Sequence, residues 1–266
     1  MFKLLKKISG RKNKGKSIQS NNTLDKQKNK KDQSISQNID DNIDFIKDIY
    51  QFPNNRDVKF REFKVGGSNE RAAIIFISSI TDVRTIEDSA ISPLLENKEP
   101  DLGIKRVIST QNVNLFSNMK DVVNNINTGN AVIFIENDSN AYIFECANFQ
   151  GRSVERAENE VLIKGSKEAL TEKVVVNLSL IRKRIKNEAL MAESVTISER
   201  SQNEVYILYV RNLADDKLVD DIKNRLKNLD VDSIQNLALL EQYIEERRMS
   251  LFPSVLYSER PDRATA

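Results

Sequence analysis

The sequence predicts an α/β protein of two lobes, each a small mixed β-sheet flanked by helices, preceded by a disordered basic tail. Short β-branched runs alternate with amphipathic segments from residue 36 onward, a pattern that packs helices on the faces of a sheet. A polar segment with a glycine, residues 148–153, interrupts this alternation near its middle. Residues 1–35 are rich in Lys, Asn, Ser and Gln, so they bury too little apolar surface to offset the entropy of ordering. The predicted parts are therefore a tail (1–35), an N-terminal lobe (36–150) and a C-terminal lobe (151–266).

Charge separates the tail from the body. The tail holds 11 Lys and Arg against two Asp, which leaves 30 basic and 37 acidic residues from the chain's 41 and 39. Phe2, Leu5 and Ile8 alternate with lysines, as in a helix on a membrane surface, but for so short a piece a solvated tail is the favoured interpretation. We expect the tail to contribute almost nothing to stability.

The N-terminal lobe begins with a predicted helix, in which Ile39, Ile43, Ile46 and Tyr50 recur at helical spacing before Pro53. Residues 71–78 form a continuous apolar run, typical of a strand covered on both faces. The same periodicities predict strands at 58–65, 103–109, 131–136 and 142–146, a Gly-Gly turn at 66–67, and helices at 82–97, broken at Pro93, and 114–128, closed by Gly129.

The C-terminal lobe repeats the alternation. A short extended piece at 161–163 precedes a long helix predicted over 167–188, with Ser166 as its N-cap. Asp215 is predicted to cap the next helix, which carries Leu218, Ile222, Leu226 and Leu229. The remaining predictions are strands at 195–197, 205–210 and 231–234, a helix at 236–249 and an extended piece at 253–257.

Composition argues against catalysis and against cofactors. The chain has no histidine, which removes Ser-His-Asp triads, His proton shuttles and His metal sites. Its single cysteine, Cys146, lies in a predicted strand and is interpreted as a buried, inert thiol. No Gly-rich phosphate loop is present. We therefore predict no enzyme, metal or cofactor, and keep as an alternative an enzyme that uses carboxylates such as Glu136 and Glu145.

The sequence contains no membrane-spanning run. Its longest continuous apolar stretch, residues 72–77, is far shorter than the roughly 20 residues that a spanning helix needs. The basic N-terminus lacks the apolar core of a secretory signal.

The most distinctive stretch is residues 160–184, where a glycine turn leads into an amphipathic helix. Its apolar stripe comprises Val174, Leu178, Ile181 and Ile185. Asn177 and Arg184 fall on one edge of that stripe and Arg182 on the other. Arginines at such an edge reach partners on neighbouring elements.

Two interpretations of these residues stay open. The arginines pair with carboxylates such as Glu160 and Glu172 and hold the fold, or they meet a ligand carboxylate, another lobe or another subunit. The candidate ligand-binding or interface residues are Glu160, Asn177, Arg182 and Arg184.

Three motifs resemble the GerA family of spore germination proteins, A subunit. They are Arg61-x-Phe63-x-x-Gly66-Gly67, the stretch Glu160-x-x-Ile163-x-Gly165 with Glu172-x4-Asn177-x2-Leu180-Ile181-Arg182-x-Arg184-Ile185, and the ending Phe252-Pro-x4-Ser258-Glu259-Arg260-Pro261-Asp262. The match runs from about Asp57 to the last residue. The sequence departs from the family pattern at Ala157 and Ser166, where proline is expected, and at Leu170, where phenylalanine is expected.

The resemblance implies a soluble region that precedes membrane helices absent from this chain. Family members are subunits of nutrient germinant receptors in the spore inner membrane, assembled with B and C subunits, and the A subunit self-associates. This region is then expected to lie on the cytoplasmic side, in agreement with a Lys-rich segment that precedes membrane spans. It would act in ligand sensing or in subunit assembly that triggers germination, with a small nutrient as ligand.

A second function class rests on the basic tail alone. A protein that binds an anionic surface or nucleic acid through residues 1–31 would show salt-dependent binding that is lost with the tail. The tail contains one aromatic residue, Phe2, and the body is acidic, so nucleic-acid recognition is disfavoured.

Overall fold

The computed structural model describes residues 3–4, 31–99, 103–108, 112–149, 168–229, 231, 234, 237–245 and 255–266, and it confirms the α/β class. The chain divides into two compact units. The N-terminal unit comprises Gly15–Gln150 with Lys186–Glu188, and the C-terminal unit comprises Met1–Lys14, Gly151–Ile185 and Ala189–Ala266.

The N-terminal unit is built on a five-stranded sheet in the order β2-β3-β5-β6-β4. Every pairing in this sheet is antiparallel. The elements of the unit in chain order are α1 (Ile39–Tyr50), β2 (Val58–Lys64), β3 (Arg71–Ile77), α2 (Val83–Ile86, π-helical Glu87–Ile91 and Ser92–Glu96), α3 (Ile104–Val107), β4 (Val113–Phe116), α4 (Met119–Asn127), β5 (Ala131–Ile135) and β6 (Ala141–Phe144).

Apolar side chains cover both faces of this sheet. On one face α1 and α4 pack against alternate residues of β3 and β5, such as Ile75 and Phe134. On the other face α2 and α3 pack against the intervening residues, such as Ile74 and Ile133. The continuous apolar run at 71–78 is therefore a strand buried on both faces, as predicted.

The described structure reaches into the tail predicted over residues 1–35. Ile35 is 4% exposed and belongs to the core beneath α1, and Ser34 forms a β-bridge with Asn118. Lys3–Leu4 forms strand β1. The rest of the predicted tail, residues 1–2 and 5–30, lies outside the described residues.

Two predictions in the N-terminal unit were wrong. Residues 104–107, predicted as a strand, form α3. Residues 113–116, predicted as the start of a helix, form β4, which pairs with β6. The helix starts later, at Met119, because the Asn118 side chain accepts a hydrogen bond from the Lys120 amide.

The helical segment continues through Pro93 without the predicted break. A proline inside a helix removes one amide donor and crowds the carbonyl four residues earlier. In α2 the turns before Pro93 widen into the π-helical segment Glu87–Ile91, and the segment ends with the Asn97 amide bonded to the Pro93 carbonyl. The Gly66-Gly67 turn meets this end, since the Gly66 amide donates to the Leu94 carbonyl (2.8 Å) and the Gly67 amide to the Asn97 carbonyl (2.7 Å).

A network of part-buried polar side chains connects the segment Lys186–Glu188 to the rest of the N-terminal unit. Glu188 forms an ion pair with Lys31, and one of its carboxylate oxygens accepts a hydrogen bond from the Asn127 side chain (3.2 Å). Asn127 in turn accepts a hydrogen bond from the Tyr50 hydroxyl (3.0 Å). Burial raises the pKa of the Glu188 carboxyl, but the contacts with Lys31 and Asn127 outweigh this effect and lower it from its ordinary value of 4.5.

Replacing Glu188 by glutamine is expected to lower the free energy of unfolding of the N-terminal unit by about 1–3 kcal/mol near neutral pH, because Lys31 loses its charged partner. A lowered pKa means that the contribution of the carboxylate is complete above pH 4.5 and is lost as the pH falls through the native value. The free energies of unfolding of wild type and variant should therefore begin to approach each other as the pH falls below 4.5, and should converge once it is below the lowered native pKa of Glu188. Glu172→Gln, at an exposed position, is the control without effect. A pH-independent difference for Glu188→Gln would contradict this prediction.

The C-terminal unit contains a two-stranded antiparallel sheet and four helices in its described part. Its elements are β1 (Lys3–Leu4), α5 (Val174–Arg184), β7 (Leu190–Ile197), β8 (Asn203–Val210), α6 (Asp216–Lys227), α7 (Leu237–Ile244), β9 (Leu256–Tyr257) and α8 (Pro261–Ala264). One face of the β7–β8 hairpin packs against α6 and α7 through Val195, Ile197, Ile222, Leu226 and Leu240. A separate two-stranded pairing joins β1 to β9.

Asp215 caps α6 as predicted, since its side chain accepts from the Lys217 amide. The predicted strand at 231–234 is not formed at Val231 or Ile234, the two of its residues that the structure describes. The predicted strand at 161–163 and the Ser166 cap lie outside the described residues. The division into lobes at residue 150 stays a prediction about folding units.

Candidate functional site

The helix that carries the candidate residues is shorter and more deeply buried than predicted. It begins at Val174 instead of residue 167 and ends at Arg184. Six consecutive residues, 177–182, are buried. A helix buried on all sides at its centre belongs to the interior of its unit, so the predicted division into a core stripe and two edges was wrong here.

Arg182 lies inside the C-terminal unit and not at an edge of its core. It is 1% exposed and is among the largest fully buried side chains of the described residues. Its guanidinium Nη2 donates a hydrogen bond to the Leu190 carbonyl at the start of β7 (3.1 Å). A buried guanidinium needs such partners because its donors have left water. Arg182 therefore joins the end of α5 to the first residue of β7.

Asn177 clamps the loop that enters α5. It is fully buried, its Oδ1 accepts from the Thr171 amide (2.7 Å) and its Nδ2 donates to the Thr171 carbonyl (2.6 Å). Both backbone groups of one residue are satisfied by a single side chain. This clamp holds residues 168–173 outside the helix and gives a physical reason for the late helix start.

Arg184 is exposed, in contrast to Arg182 two residues before it. It donates to Glu168 (2.9 Å), and Lys183 donates to the other oxygen of the same carboxylate (2.7 Å). The hydrogen bond from Lys183 lowers the pKa of the Glu168 carboxyl, with Arg184 adding to the effect. The exposed fractions of the three side chains are 51% for Lys183, 27% for Arg184 and 28% for Glu168, so this cluster is open to a partner.

The structure does not bring the four candidate residues together as one site. Glu160 lies outside the described residues, Asn177 and Arg182 are buried, and only Arg184 has an accessible side chain. Glu172, the other predicted carboxylate partner, is exposed, and the described partner of Arg184 is Glu168.

The last residues of the chain dock beside α5. The Leu170 amide donates to the Glu259 carbonyl (2.6 Å), and α8 packs against α5. Ser258 is 4% exposed and accepts from the Arg260 amide (3.1 Å). Arg260 pairs with Asp262, which lowers the pKa of that carboxyl. The ending 258–262 and the α5 stretch therefore form one packed layer.

Sequence reasoning missed Glu168, Glu259 and Leu190 as partners. Glu168 was placed inside the helix predicted over 167–188, whereas it lies in the segment before α5. The contacts of Glu259 and Leu190 are made by backbone carbonyls, for which no residue type is a signal.

Cys146, Glu136 and Glu145 are the residues that the sequence analysis weighed for chemistry. Burial raises the pKa of the Cys146 thiol to about 12, which leaves it protonated at neutral pH. Glu136 follows β5 and Glu145 follows β6, so they lie at opposite ends of an antiparallel hairpin, roughly 15–20 Å apart at about 3.3 Å per residue. The carboxylate pair of the enzyme alternative therefore does not converge. Within the described ranges, no group of three potential metal ligands comes together and no helix is long and apolar enough to cross a membrane.

Comparison with known proteins gives a consistent set of similarities. Residues 45–266 match the family model described as Bacillus/Clostridium GerA spore germination protein. The chain is 31% identical over 240 residues to an uncharacterized membrane protein, YfkQ, of Bacillus subtilis, covering 88% of this chain and 46% of that protein. It is 31% identical over 229 residues to spore germination protein GerLA of Bacillus cereus, covering 83% and 46%. The chain thus spans about half the length of the curated relatives that it matches.

A solved structure resembles the fold. The N-terminal domain of the A subunit of the Bacillus megaterium spore germinant receptor GerK3 matches with a TM-score of 0.65 and 28% identity, over 88% of both chains.

Proposed function

Because this chain belongs to the Bacillus/Clostridium GerA family of spore germination proteins, we propose that it acts in germinant sensing or receptor assembly as the N-terminal domain of a germinant receptor A subunit. In the full-length protein, the domain would face the cytoplasm at the spore inner membrane. Its partners would be B-type and C-type receptor subunits and further copies of the A subunit, with a small nutrient as the signal.

The observation that supports this proposal is the packing of the chain's last residues on α5. Relatives are about twice as long, so in a full-length protein residues 258–266 would lead into the remaining half. The Leu170–Glu259 hydrogen bond and the contact between α8 and α5 hold that exit. A ligand or subunit that shifts α5 would therefore also shift the point from which the rest of the receptor begins.

The accessible part of this layer is the Glu168–Lys183–Arg184 cluster. Asn177 and Arg182 build the layer from inside, whereas Arg184 presents a charged side chain to the outside. Exposed side chains of both charges suit the polar rim of a protein–protein interface.

A charge swap distinguishes a partner-facing pair from a structural one. Arg184→Glu and Glu168→Arg, alone and combined, are introduced into the full-length receptor gene in spores that lack the native copy. Germination is followed by loss of optical density after addition of nutrient, with receptor abundance measured by immunoblot. Melting of the purified variants of this chain gives the structural readout.

The combined variant is expected to melt close to wild type, because the 168–184 pair re-forms with reversed charges and the lost Lys183–Glu168 pair is a surface ion pair worth about 0–1 kcal/mol. It is expected to germinate more slowly at equal receptor abundance. Lys120→Glu on α4, an exposed position in the N-terminal unit, is the control for a charge change. Full germination by the combined variant would show that the pair only holds the fold, and would remove this face from the proposed function.

A further inference from the structure

Strand β8 of the C-terminal unit has one edge that faces away from its neighbour. In the described part of the chain β8 pairs with β7 alone, and just beyond the two strands the Arg211 amide donates to the Ala189 carbonyl (3.0 Å). Residues 189 and 211 are therefore a hydrogen-bonded pair, and such pairs recur at every second residue of an antiparallel ladder. It follows that odd-numbered residues of β8 direct their amides to β7, whereas even-numbered residues direct theirs away from it.

The outward edge of β8 carries unpaired backbone groups and no charged guard. Among the described residues, none accepts a hydrogen bond from the outward amides of Glu204 and Leu208. Residues 205–210 read Val-Tyr-Ile-Leu-Tyr-Val, without charge, proline or glycine, and each of the six is only partly buried. An uncharged edge of this length is a template for another strand.

The edge strand of the N-terminal sheet, β2, shows the opposite pattern. It also has a neighbour on one side only in the described structure, namely β3. Four of its seven residues are charged: Lys59, Arg61, Glu62 and Lys64. Charged side chains, Lys above all, are how natural sheets keep an edge from pairing with another chain. The contrast singles out β8 as the edge that is suited to pairing.

We propose that β8 is an interface between two copies of this chain, which pair antiparallel through this edge and join their hairpins into one continuous sheet. The occupant is a second copy because twofold pairing makes each edge the cover of the other, whereas a strand from another protein would leave its own far edge open. The charges agree with this choice. Glu204 is the one charged residue of β8 and lies near its start, so antiparallel copies keep the two carboxylates apart.

The register follows from the same geometry. Outward-directed residues are even-numbered in both copies, so residues that face each other across the interface have numbers with an even sum. A twofold axis at Ile207 pairs residues 204–210 of the two copies, and no other axis at a residue matches as much of both the strand and its uncharged run. Leu208 then lies opposite Tyr206 of the second copy, an aliphatic–aromatic pair of the kind that stabilises sheets.

This inference rests on the proposed function in one respect, since it names a surface through which copies of the A subunit would assemble. Its tests use the chain alone and need no germination. A failure here would remove the β8 interface and leave the charge swap at Arg184 and Glu168 to decide the proposed function.

Sedimentation of the 266-residue chain over a range of concentrations up to about 0.5 mM tests the contact. A strand pair is a small interface, so the dimer is expected to dissociate in the micromolar range. Leu208→Pro removes an outward amide that β7 does not use, and proline is tolerated at an edge where its nitrogen faces outward. Twofold symmetry makes this two lost hydrogen bonds per dimer, which should raise the dissociation constant at least about tenfold.

Glu62→Pro is the matched control on the other edge strand. The Val65 amide donates to the Glu70 carbonyl, so odd-numbered residues of β2 face β3 and the Glu62 amide points outward. This variant should leave the dissociation constant unchanged. Leu208→Lys keeps the amide and adds a guarding charge, and it should weaken the dimer while melting close to wild type. A wild-type chain that stays monomeric, equal effects of the two proline variants, or an undiminished Leu208→Lys dimer would overturn the proposal.

Spin labels measure the register. With the axis at Ile207, the Glu204 residues of the two copies are six positions apart along the strand, or about 20 Å. Glu204→Cys is labelled, since the native Cys146 is buried and does not compete, and the distance between labels is expected near this value. Lys59→Cys on β2 is the control and should give no distance this short. A short distance at 59 and none at 204 would place the contact at β2 and overturn the proposal.

Discussion

Replacing Arg182 by alanine is expected to lower the free energy of unfolding of the C-terminal unit by about 3–5 kcal/mol, among the largest effects of a single substitution in this chain. Arg182 is 1% exposed, so its removal leaves a cavity at the centre of α5. It also leaves the Leu190 carbonyl without the hydrogen bond that Arg182 donates. Denaturant unfolding followed by circular dichroism measures the effect.

Arg184→Ala is the matched control, since it removes the same side chain two residues later. Arg184 is 27% exposed and pairs with Glu168 at the surface. A surface ion pair contributes about 0–1 kcal/mol, so this variant should unfold almost like wild type. Arg182→Met should lie between the two, because methionine refills part of the volume but donates no hydrogen bond. Equal, small losses of stability for Arg182→Ala and Arg184→Ala would contradict the burial of Arg182, because only a solvated side chain can be removed at so little cost.

These two arginines show how far the sequence carries a prediction. The spacing of Val174, Leu178 and Ile181 predicts a helix and its core-facing residues, and Leu178 and Ile181 are buried as expected. The same spacing puts Arg182 at the edge of the stripe. Its burial arises from the Leu190 carbonyl on the following strand, and no local pattern contains that contact.

The start of α5 illustrates the same limit. Residues 168–170, Glu-Ala-Leu, have high helix propensity, which led the prediction to begin at 167. Helix propensity is a weak preference of tenths of a kcal/mol per residue. The hydrogen bonds of the Asn177 clamp on Thr171 and the Leu170–Glu259 hydrogen bond contribute more than this and hold these residues outside the helix. By contrast, helix α1 was predicted from the spacing of Ile39, Ile43, Ile46 and Tyr50, because its core-facing residues all lie within a dozen residues of sequence.

The helix predicted from residue 114 was wrong over β4 for a third reason. Leu115 and Met119 are four residues apart, as on one face of a helix, and the interpretation followed that spacing. In the fold the residues from Val113 to Phe116 fill the edge of the sheet beside β6. Sheet edges are completed by whichever segment pairs there, and that choice depends on strands distant in sequence.

Replacing Gly66 by alanine is expected to lower the free energy of unfolding of the N-terminal unit by about 3 kcal/mol, near the upper end of the range for an overpacked site. A Cβ atom at this position would lie 2.0 Å from the Asn97 carbonyl oxygen and 2.7 Å from that of Leu95. Both contacts are with backbone at the end of α2, so no side chain can rotate away to relieve them. Separation of the two segments would break the Gly66 hydrogen bond to the Leu94 carbonyl and the Gly67 hydrogen bond to the Asn97 carbonyl.

Gly103 supplies the control for this prediction, because a Cβ there meets nothing within 4 Å. Gly103→Ala should be neutral or stabilising by about 0.4–1 kcal/mol, since alanine has less conformational freedom than glycine in the unfolded chain. Melting of the two variants beside wild type separates close approach from the general effect of removing a glycine. If Gly66→Ala and Gly103→Ala have the same melting temperature, then the turn at 66–67 is not held in place by the end of α2. A large loss for Gly66→Ala alone would show that the Arg61-x-Phe63-x-x-Gly66-Gly67 motif is held by the contact between this turn and the helix end.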